Sequence, residues 1–332
     1  MATRNDVAIR AGVSVATVSH VINNNKYVSP ELKEKVNEAI RVLNYKPNMV
    51  ARSLVTKITK HVGIIVNDIT NPYYGEIAQG MEEIAHKNGY IVSLCLASGA
   101  SESYLASIKQ RQMDGIFMAT TRNEDFKKEQ FQNLVESGIA VVNGHGVGSE
   151  VNFEYKKAIN NLVKYLADMG HKKIGYLSGI SLDLPGNDRY LLYKEALKKN
   201  GIEFEKAWAV DGVYPYKTDN RSGYEAMNRL LKRDTRVTAV ITTNDYMAFG
   251  AIKAIREAGL RIPGDISIAG CDDVFLAECV EPPLTTIRVP KKEMGRQAMY
   301  MLLSAINEKK ISSFVLEADL VIRDSTGPVK GA

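Results

Sequence analysis

The stretch "VSVATVSHVINNN", Val13 to Asn25, decides how this chain is read. Ser14 is a favourable N-cap, because its hydroxyl can accept from an N–H of the first turn that has no helical partner. Val15, Val18 and Ile22 follow at i, i+3 and i+7, the spacing of a face turned to a core. That leaves Ala16, Thr17, Ser19, His20 and Asn23 facing outward. A helix meant only to fold would carry Lys, Glu and Gln there. This face is short, polar and free of carboxylates, so it can approach something negative and closely packed.

On either side lie two more helices. Thr3 caps "RNDVAIRAG", which stops at Gly12, and "AGVS" is a tight turn. Ser29 caps "SPELKEKVNEAIRVLNY", with Pro30 at the first helical position and Leu32, Val36, Ile40 and Leu43 along one face. A helix, a Gly-containing turn and a second helix with an uncharged polar face make the helix-turn-helix arrangement, closed by the third helix. Residues 1–60 hold ten Lys/Arg against four Asp/Glu, a balance of +6 within a chain total of +5. The other 272 residues therefore carry −1, so a polyanion partner is expected for the head only. In "KPNMVARSLVTKITK", Pro47 ends the bundle and Asn48 caps "MVARSL", a helix too short to be stable alone.

From His61 the chain alternates short apolar strands ("HVGIIV", "IVSLCLA", "GIFMAT", "IAVVNG") with helical stretches. After a helix at 154–170 the rhythm restarts with "KIGYLSG", "WAVDG", "TAVITTN" and "SIAGC". Two such passes predict two doubly wound parallel subdomains. Ligands of these sheets sit beyond the carboxyl ends of the strands, which here means a cleft between two lobes.

At 332 residues and 45% hydrophobic, the chain can bury cores for two or three folded units. It has no apolar run long enough to span a bilayer and no signal-peptide pattern, so a cytoplasmic protein without a membrane partner is expected. Cys95, Cys271 and Cys279 lack metal-type spacing and suit a reducing compartment. "GHGVGSE" at 144–150 lacks the third glycine of a dinucleotide fingerprint, and no G-x-S-x-G, Walker loop or H-E-x-x-H is present. No catalytic residue, metal ligand or cofactor is therefore assigned. A transport receptor with this core would need an export signal and would leave the basic head unexplained.

The motifs "DVAIRAGVSVATVSHVIN", "YVSPELKEKVNEAIRVLNYKPNMVARSL", "DITNPYYGEIAQGMEE", "GHKKIGYLSG", "TNDYMAFGAIKAIREAGLRIPGDISIAGCDD" and "PPLTTIRVPKKEMGRQA" occur in the order of one pattern. Over essentially its whole length the chain resembles the lactose-repressor family of bacterial transcription regulators, its head being similar to the purine-repressor branch. The resemblance implies an α/β protein with a three-helix helix-turn-helix headpiece (1–46) and a hinge helix with linker (47–60). A periplasmic-binding-protein-like core (61–332) would follow, for effector binding and dimerisation. Its N-subdomain would span about 61–158 plus 287–320, its C-subdomain about 159–286 plus 321–332.

It further implies a homodimer repressing at a pseudo-palindromic double-stranded DNA operator with a central CpG. Val15, Ala16, Thr17 and His20 would read bases, His20 standing where arginine is commoner. Ser14, Ser19, Asn23, Tyr27 and Asn48 would bond phosphates. Ala51, Arg52 and Leu54 would enter the minor groove, Leu54 as the wedge. Tyr73, Tyr74, Glu154, Arg189, Asn244 and Asp272 match the effector contacts, with Glu154 where Asp is usual. A sugar or sugar derivative leads as effector; a purine and a phosphoprotein co-regulator stay open.

These residues have plain structural roles too. Tyr73 and Tyr74 suit a helix-start core, Asp272 a turn, and Arg189 a surface ion pair. Asp245 is expected as the N-cap of "YMAFGAIKA". The C-terminus carries no leucine heptad, which favours a dimer.

Overall fold

The computed structural model describes residues 2–23, 26–46, 56, 58–97, 101–119, 126–183, 187–212, 217–233 and 236–330, the side chains of 101–104 excepted. Its contacts divide the chain into two compact units, Met1–Thr59 and Lys60–Ala332.

The first unit holds α1 (Arg4–Ala11), α2 (Val15–Asn23) and α3 (Pro30–Val42). Thr3 and Asp6 form a reciprocal cap on α1: Thr3 N–H donates to the Asp6 carboxylate (2.7 Å), and Asp6 N–H to the Thr3 hydroxyl (3.3 Å). The helix ends on Gly12 at φ 63°, a conformation that costs glycine little. The Ser14 hydroxyl accepts from Thr17 N–H (3.1 Å), as its N-cap role requires. Val7, Ala8, Val18, Val21, Val36, Ala39 and Tyr45 form the buried core.

Val15 departs from the expected inward face: it is 42% exposed, and Val21 is buried instead. A face centred on 18, 21 and 22 satisfies the 3.6-residue period as well as one on 15, 18 and 22. The core closes over the middle of α2, leaving Val15, its first residue, outside. Helix α3 stops at Val42 with Leu43 as its C-cap, so it ends before Pro47. Pro47, Asn48, Ala51, Arg52, Leu54 and most of the expected hinge segment lie outside the described residues.

In the second unit, β1 (His61–Val66), α4 (Pro72–Lys87), β2 (Ile91–Leu96), α5 (Ser101–Gln110), β3 (Gly115–Met118), α6 (Lys128–Glu136) and β4 (Ala140–Val142) build one half. After β5 (Glu150–Glu154), the other half is built from α7 (Lys156–Asp168), β6 (Ile174–Ser178), α8 (Asp188–Lys199), β7 (Ala209–Asp211), α9 (Asn220–Leu231), β8 (Ala239–Thr242), α10 (Asp245–Glu257) and β9 (Ser267–Ala269). Next come α11 (Leu276–Cys279), β10 (Thr286–Arg288), α12 (Lys291–Glu308), β11 (Ser313–Glu317) and β12 (Asp319–Val321). The two four-stranded sheets run β2-β1-β3-β4 and β7-β6-β8-β9, with every pairing parallel.

Both sheets are apolar on both faces, as parallel strands covered by helices must be. In β1, Val62, Ile64 and Val66 face α4 and α12, while Ile65 turns to α5 and α6. In β6, Ile174 and Tyr176 face α7 and α8, while Leu177 turns to α9 and α10.

The alternation did not foretell β5, β10, α12, β11 or β12. These carry the chain back and forth. Strand β11 pairs in parallel with β5 beside the first half, and β10 pairs antiparallel with β12 beside the second. The chain thus crosses between the halves near 155, 290 and 318. Buried His171 holds the last segment, its two ring nitrogens bonded to Thr238 Oγ1 (2.8 Å) and the Gly327 carbonyl (2.9 Å).

Candidate functional sites

On α2, Val15 and Ala16 are exposed, and Thr17, Ser19, His20 and Asn23 are half-buried. The Thr17 hydroxyl bonds Ser14 Oγ (2.9 Å), and the Asn23 amide donates to Ser19 Oγ (3.2 Å). Tyr27, just beyond the helix, is 90% exposed. The acids of this unit are all engaged: Asp6 in the first cap, Glu31 with Lys35 (2.8 Å), and Glu34 and Glu38 with Arg41 (3.1 and 2.6 Å). Arg10, Lys26, Lys33 and Lys46 make no ion pair among the described residues. The surplus charge is therefore wholly cationic.

The second site lies where the strands of the second half end. Arg189, in the first turn of α8, donates to the Thr243 carbonyl (2.7 Å) just after β8 and to the Tyr155 hydroxyl (2.6 Å). Its guanidinium centre lies 4.5 Å from the Tyr155 ring centroid and 3.5 Å, nitrogen to oxygen, from Asp272 Oδ1. That Oδ1 is buried and has no hydrogen-bond partner. Burial pushes the Asp272 carboxyl up to about 6 despite Arg189 and Lys291 beside it. Tyr73 packs against the cores of both halves, at 5.1 Å and edge-on to Tyr74. Burial raises the Tyr73 phenol well above its ordinary range, and Asp272 and Tyr155 add to the shift. An arginine, a carboxylate oxygen without a hydrogen bond and aromatic faces can together orient a polar ring.

The turn carrying Asp272 is strained: Asp272 has φ 117° and Asp273 φ 53°. Asp273 is clamped by Arg288 (2.6 Å) and Arg323 (2.7 Å).

Of the expected effector residues, Arg189, Asp272 and Tyr73 come together. Tyr74 adjoins them, but its hydroxyl donates to Asn67 and its ring is buried in the first half's core. Glu154 does not join: its carboxylate accepts from Lys156 N–H (2.7 Å) at the start of α7. Asn244 is the N-cap of α10, accepting from Met247 N–H (2.9 Å) while donating to the Thr218 carbonyl (3.1 Å). This corrects the assignment of that cap to Asp245. A cap residue needs an extended backbone, which Asn244 has at φ −151°, whereas Asp245 is already helical. Asp245 is fully buried, accepting from the Thr286 hydroxyl and from Val274 N–H (2.9 Å). Burial, with Asp272 nearby, pushes its carboxyl up to about 7.

Sequence reasoning missed Tyr155 and Lys291. The aromatic residue directly after Glu154 was the available signal for the first; the doublet Lys291–Lys292 gave none for the second. Two open surface depressions, against Lys194, Lys198, Ile202 and Phe204 and against Phe249, Ile252 and Val280, lie apart from this cluster. No group of His, Cys, Asp or Glu among the described residues could hold a metal ion, and no helix among them is long and apolar enough to cross a membrane.

Comparison with known proteins covers both units. Residues 3–48 match the model for bacterial regulatory proteins of the lacI family, and residues 163–326 that for a periplasmic binding protein-like domain. An HTH-type transcriptional repressor PurR from Mannheimia succiniciproducens is 36% identical over 98% of each chain. Among solved structures, the lac repressor dimer bound to operator and the anti-inducer ONPF superposes with a TM-score of 0.83 at 26% identity, covering 98% of this chain and 99% of that one. A LacI family regulator from Enterococcus faecium with bound ribose gives 0.72 at 28% identity, over 81% of this chain and all of that one. With the helix-turn-helix unit, the two parallel sheets and a full-length relative in agreement, this chain belongs to the lacI family of bacterial regulatory proteins.

Proposed function

We propose that the chain is a cytoplasmic, non-enzymatic transcriptional repressor that binds double-stranded operator DNA as a homodimer and changes its hold when a small carbohydrate fills the cleft at Arg189 and Asp272. In this reading 1–46 is the DNA-binding headpiece, 47–60 the hinge, and 61–332 the effector and dimer core. Within the core, 61–158 with 287–320 forms one lobe and 159–286 with 321–332 the other.

One observation carries the DNA reading: α2 turns a carboxylate-free face outward on a unit whose acids are all engaged and whose surplus charge is cationic. Val15 and Ala16 offer only apolar contact, as to a thymine methyl. His20 offers a single hydrogen bond where an arginine would offer two. Thr17 completes the reading face, while Ser14, Ser19, Asn23, Tyr27 and Asn48 fix register on phosphates. Ala51 and Arg52 admit the hinge to the minor groove, and Leu54 inserts at the central step. The dimer and operator recorded for the lac repressor, and the ribose recorded for the E. faecium regulator, support the partner classes.

Gel-shift titration against a palindrome with and without a central CpG tests this. Binding should weaken steeply with salt, and Leu54→Ala should abolish the preference for CpG. A monomer that prefers no DNA over bulk competitor overturns the proposal. For the cleft, a thermal-shift panel of sugars and nucleobases names the class, since a ligand at 100 times its Kd adds about 2.7 kcal/mol.

A further inference from the structure

Lys291, the first residue of α12, is 3% exposed. A lysine removed from water in this way must find oxygen partners, because a bare ammonium in an apolar interior is prohibitively costly. Its Nζ donates to the Asp272 carbonyl (2.6 Å) and the Asp273 carbonyl (2.8 Å), and lies 3.4 Å from Glu76 Oε1. The two carbonyls belong to the strained turn that ends β9 in the second half. Glu76 belongs to α4 in the first half, against which α12 packs. One ammonium therefore joins the turn that carries the Asp272 carboxylate to a helix of the opposite half.

We infer that Lys291 is a positioning residue: it holds the turn that points the Asp272 carboxylate into the cleft and ties that turn to α4, so that filling the cleft is felt in the first half. The inference rests on reading the Asp272 cluster as the ligand site. The carboxylate faces Arg189 and Lys291, whose charge favours its ionised form, and Glu76 and Asp245, whose charge opposes it. Cys271, Tyr73 and Tyr155 complete its titratable surroundings. Arg189 lies beside the side chain, and the Asp272 and Val274 amides are held within the second half by the Ile287 carbonyl and Asp245; Lys291 bonds the two carbonyls of the turn and, unlike these, reaches Glu76 in the other half.

The test uses the ligand-free full chain, so it does not depend on what fills the cleft. The Asp272 carboxyl carbon is followed by NMR across pH, its resonance assigned by loss in Asp272→Asn. In Lys291→Met the titration midpoint should rise by about one pH unit, because a favouring cation is gone. In Glu76→Gln it should fall by about half a unit, because an opposing anion is gone. Loosening of the core alone would hydrate the carboxyl and move both midpoints down toward about 4. Hydrogen exchange at 272–274 and at the start of α4 should quicken together by about tenfold in Lys291→Met. An unchanged or lowered midpoint in Lys291→Met, or turn amides that stay protected, overturns the inference. Should Lys291→Met fail to fold, Glu76→Gln at its half-exposed site decides: a fall of about half a unit with the amides of 272–274 still protected supports the inference, and a rise, no change, or a fall accompanied by faster exchange there ends it. A failed gel shift with these shifts intact would count against the DNA reading and leave this one standing.

Discussion

In one half of the larger unit the strands run β2-β1-β3-β4, and α4 and α12 touch backbone to backbone: a Cβ at Gly80 would lie 1.8 Å from Lys292 O, one at Gly295 1.9 Å from Ile77 O. In the other half the strands run β7-β6-β8-β9, and α9 and α10 meet in the same way at Gly223 and Gly250. Built alike, the halves are equipped differently. The second brings Arg189, Asp245 and Asp272 to its strand ends, all deeply or largely buried and with one Asp272 oxygen left without a hydrogen bond. The first brings Tyr73 and Tyr74. Buried charge is where a ligand can be told from its neighbours, because a wrong one leaves that charge unmatched. Aromatic faces are tolerant. Under the proposed function, selectivity would fall to the second half and stacking on a ligand ring to the first.

The largest break in that contrast is expected from pH. Asp245 and Asp272 have carboxyls raised to about 7 and about 6, above the ordinary value near 4 that they regain on unfolding. Between those limits these two groups bind more protons in the native state than in the unfolded one, so their contribution to stability is full below about pH 4 and declines as pH rises toward 7. The pair should contribute a loss of up to about 7 kcal/mol, read as a falling urea midpoint. Asp245→Asn should flatten the slope. In the first half Glu83, lowered by Lys292 and Arg296, moves the opposite way. A profile that rises from 4 to 7 and ignores Asp245→Asn would contradict the assignment.

Arg189→Met comes next. It removes the cation beside a buried carboxylate and frees the Thr243 carbonyl, for about 3 kcal/mol by urea denaturation. Ligand affinity should be lost altogether by calorimetry. Gly250→Ala and Gly80→Ala should each cost about 2 kcal/mol by overpacking. Equal losses would mark the halves as mechanically equivalent, and unequal ones would sharpen the difference. The smallest effect belongs to Tyr74→Phe, which forfeits the hydrogen bond to Asn67 for about 1 kcal/mol and should leave ligand selectivity unchanged.

Local signals made most of the architecture legible. Thr3, Ser14 and Ser29 cap the helices that follow them, and the apolar runs became parallel strands within a residue or two of where they were read. The phase of α2 was misjudged because periodicity fixes a stripe's spacing and not which neighbouring stripe meets the core. The grouping of Arg189 with Asp272 was less legible. Arg189 and Asp272 stand 83 residues apart in sequence, and only the order of β6, β8 and β9 brings them together. Glu154 and Asn244 had matched the effector pattern, yet each spends its side chain on a neighbouring N–H. Lys291 was invisible because a lysine doublet at a helix start reads as solvated surface until the fold closes over its first member.

The three crossings near 155, 290 and 318 have a topological consequence. Neither half is a continuous length of chain, so a protease that nicks one crossing leaves two further covalent straps across the gap. Clipping there should yield fragments that separate in denaturant yet travel as one particle on a sizing column. Transplanting one half into a relative would require three splices made in concert.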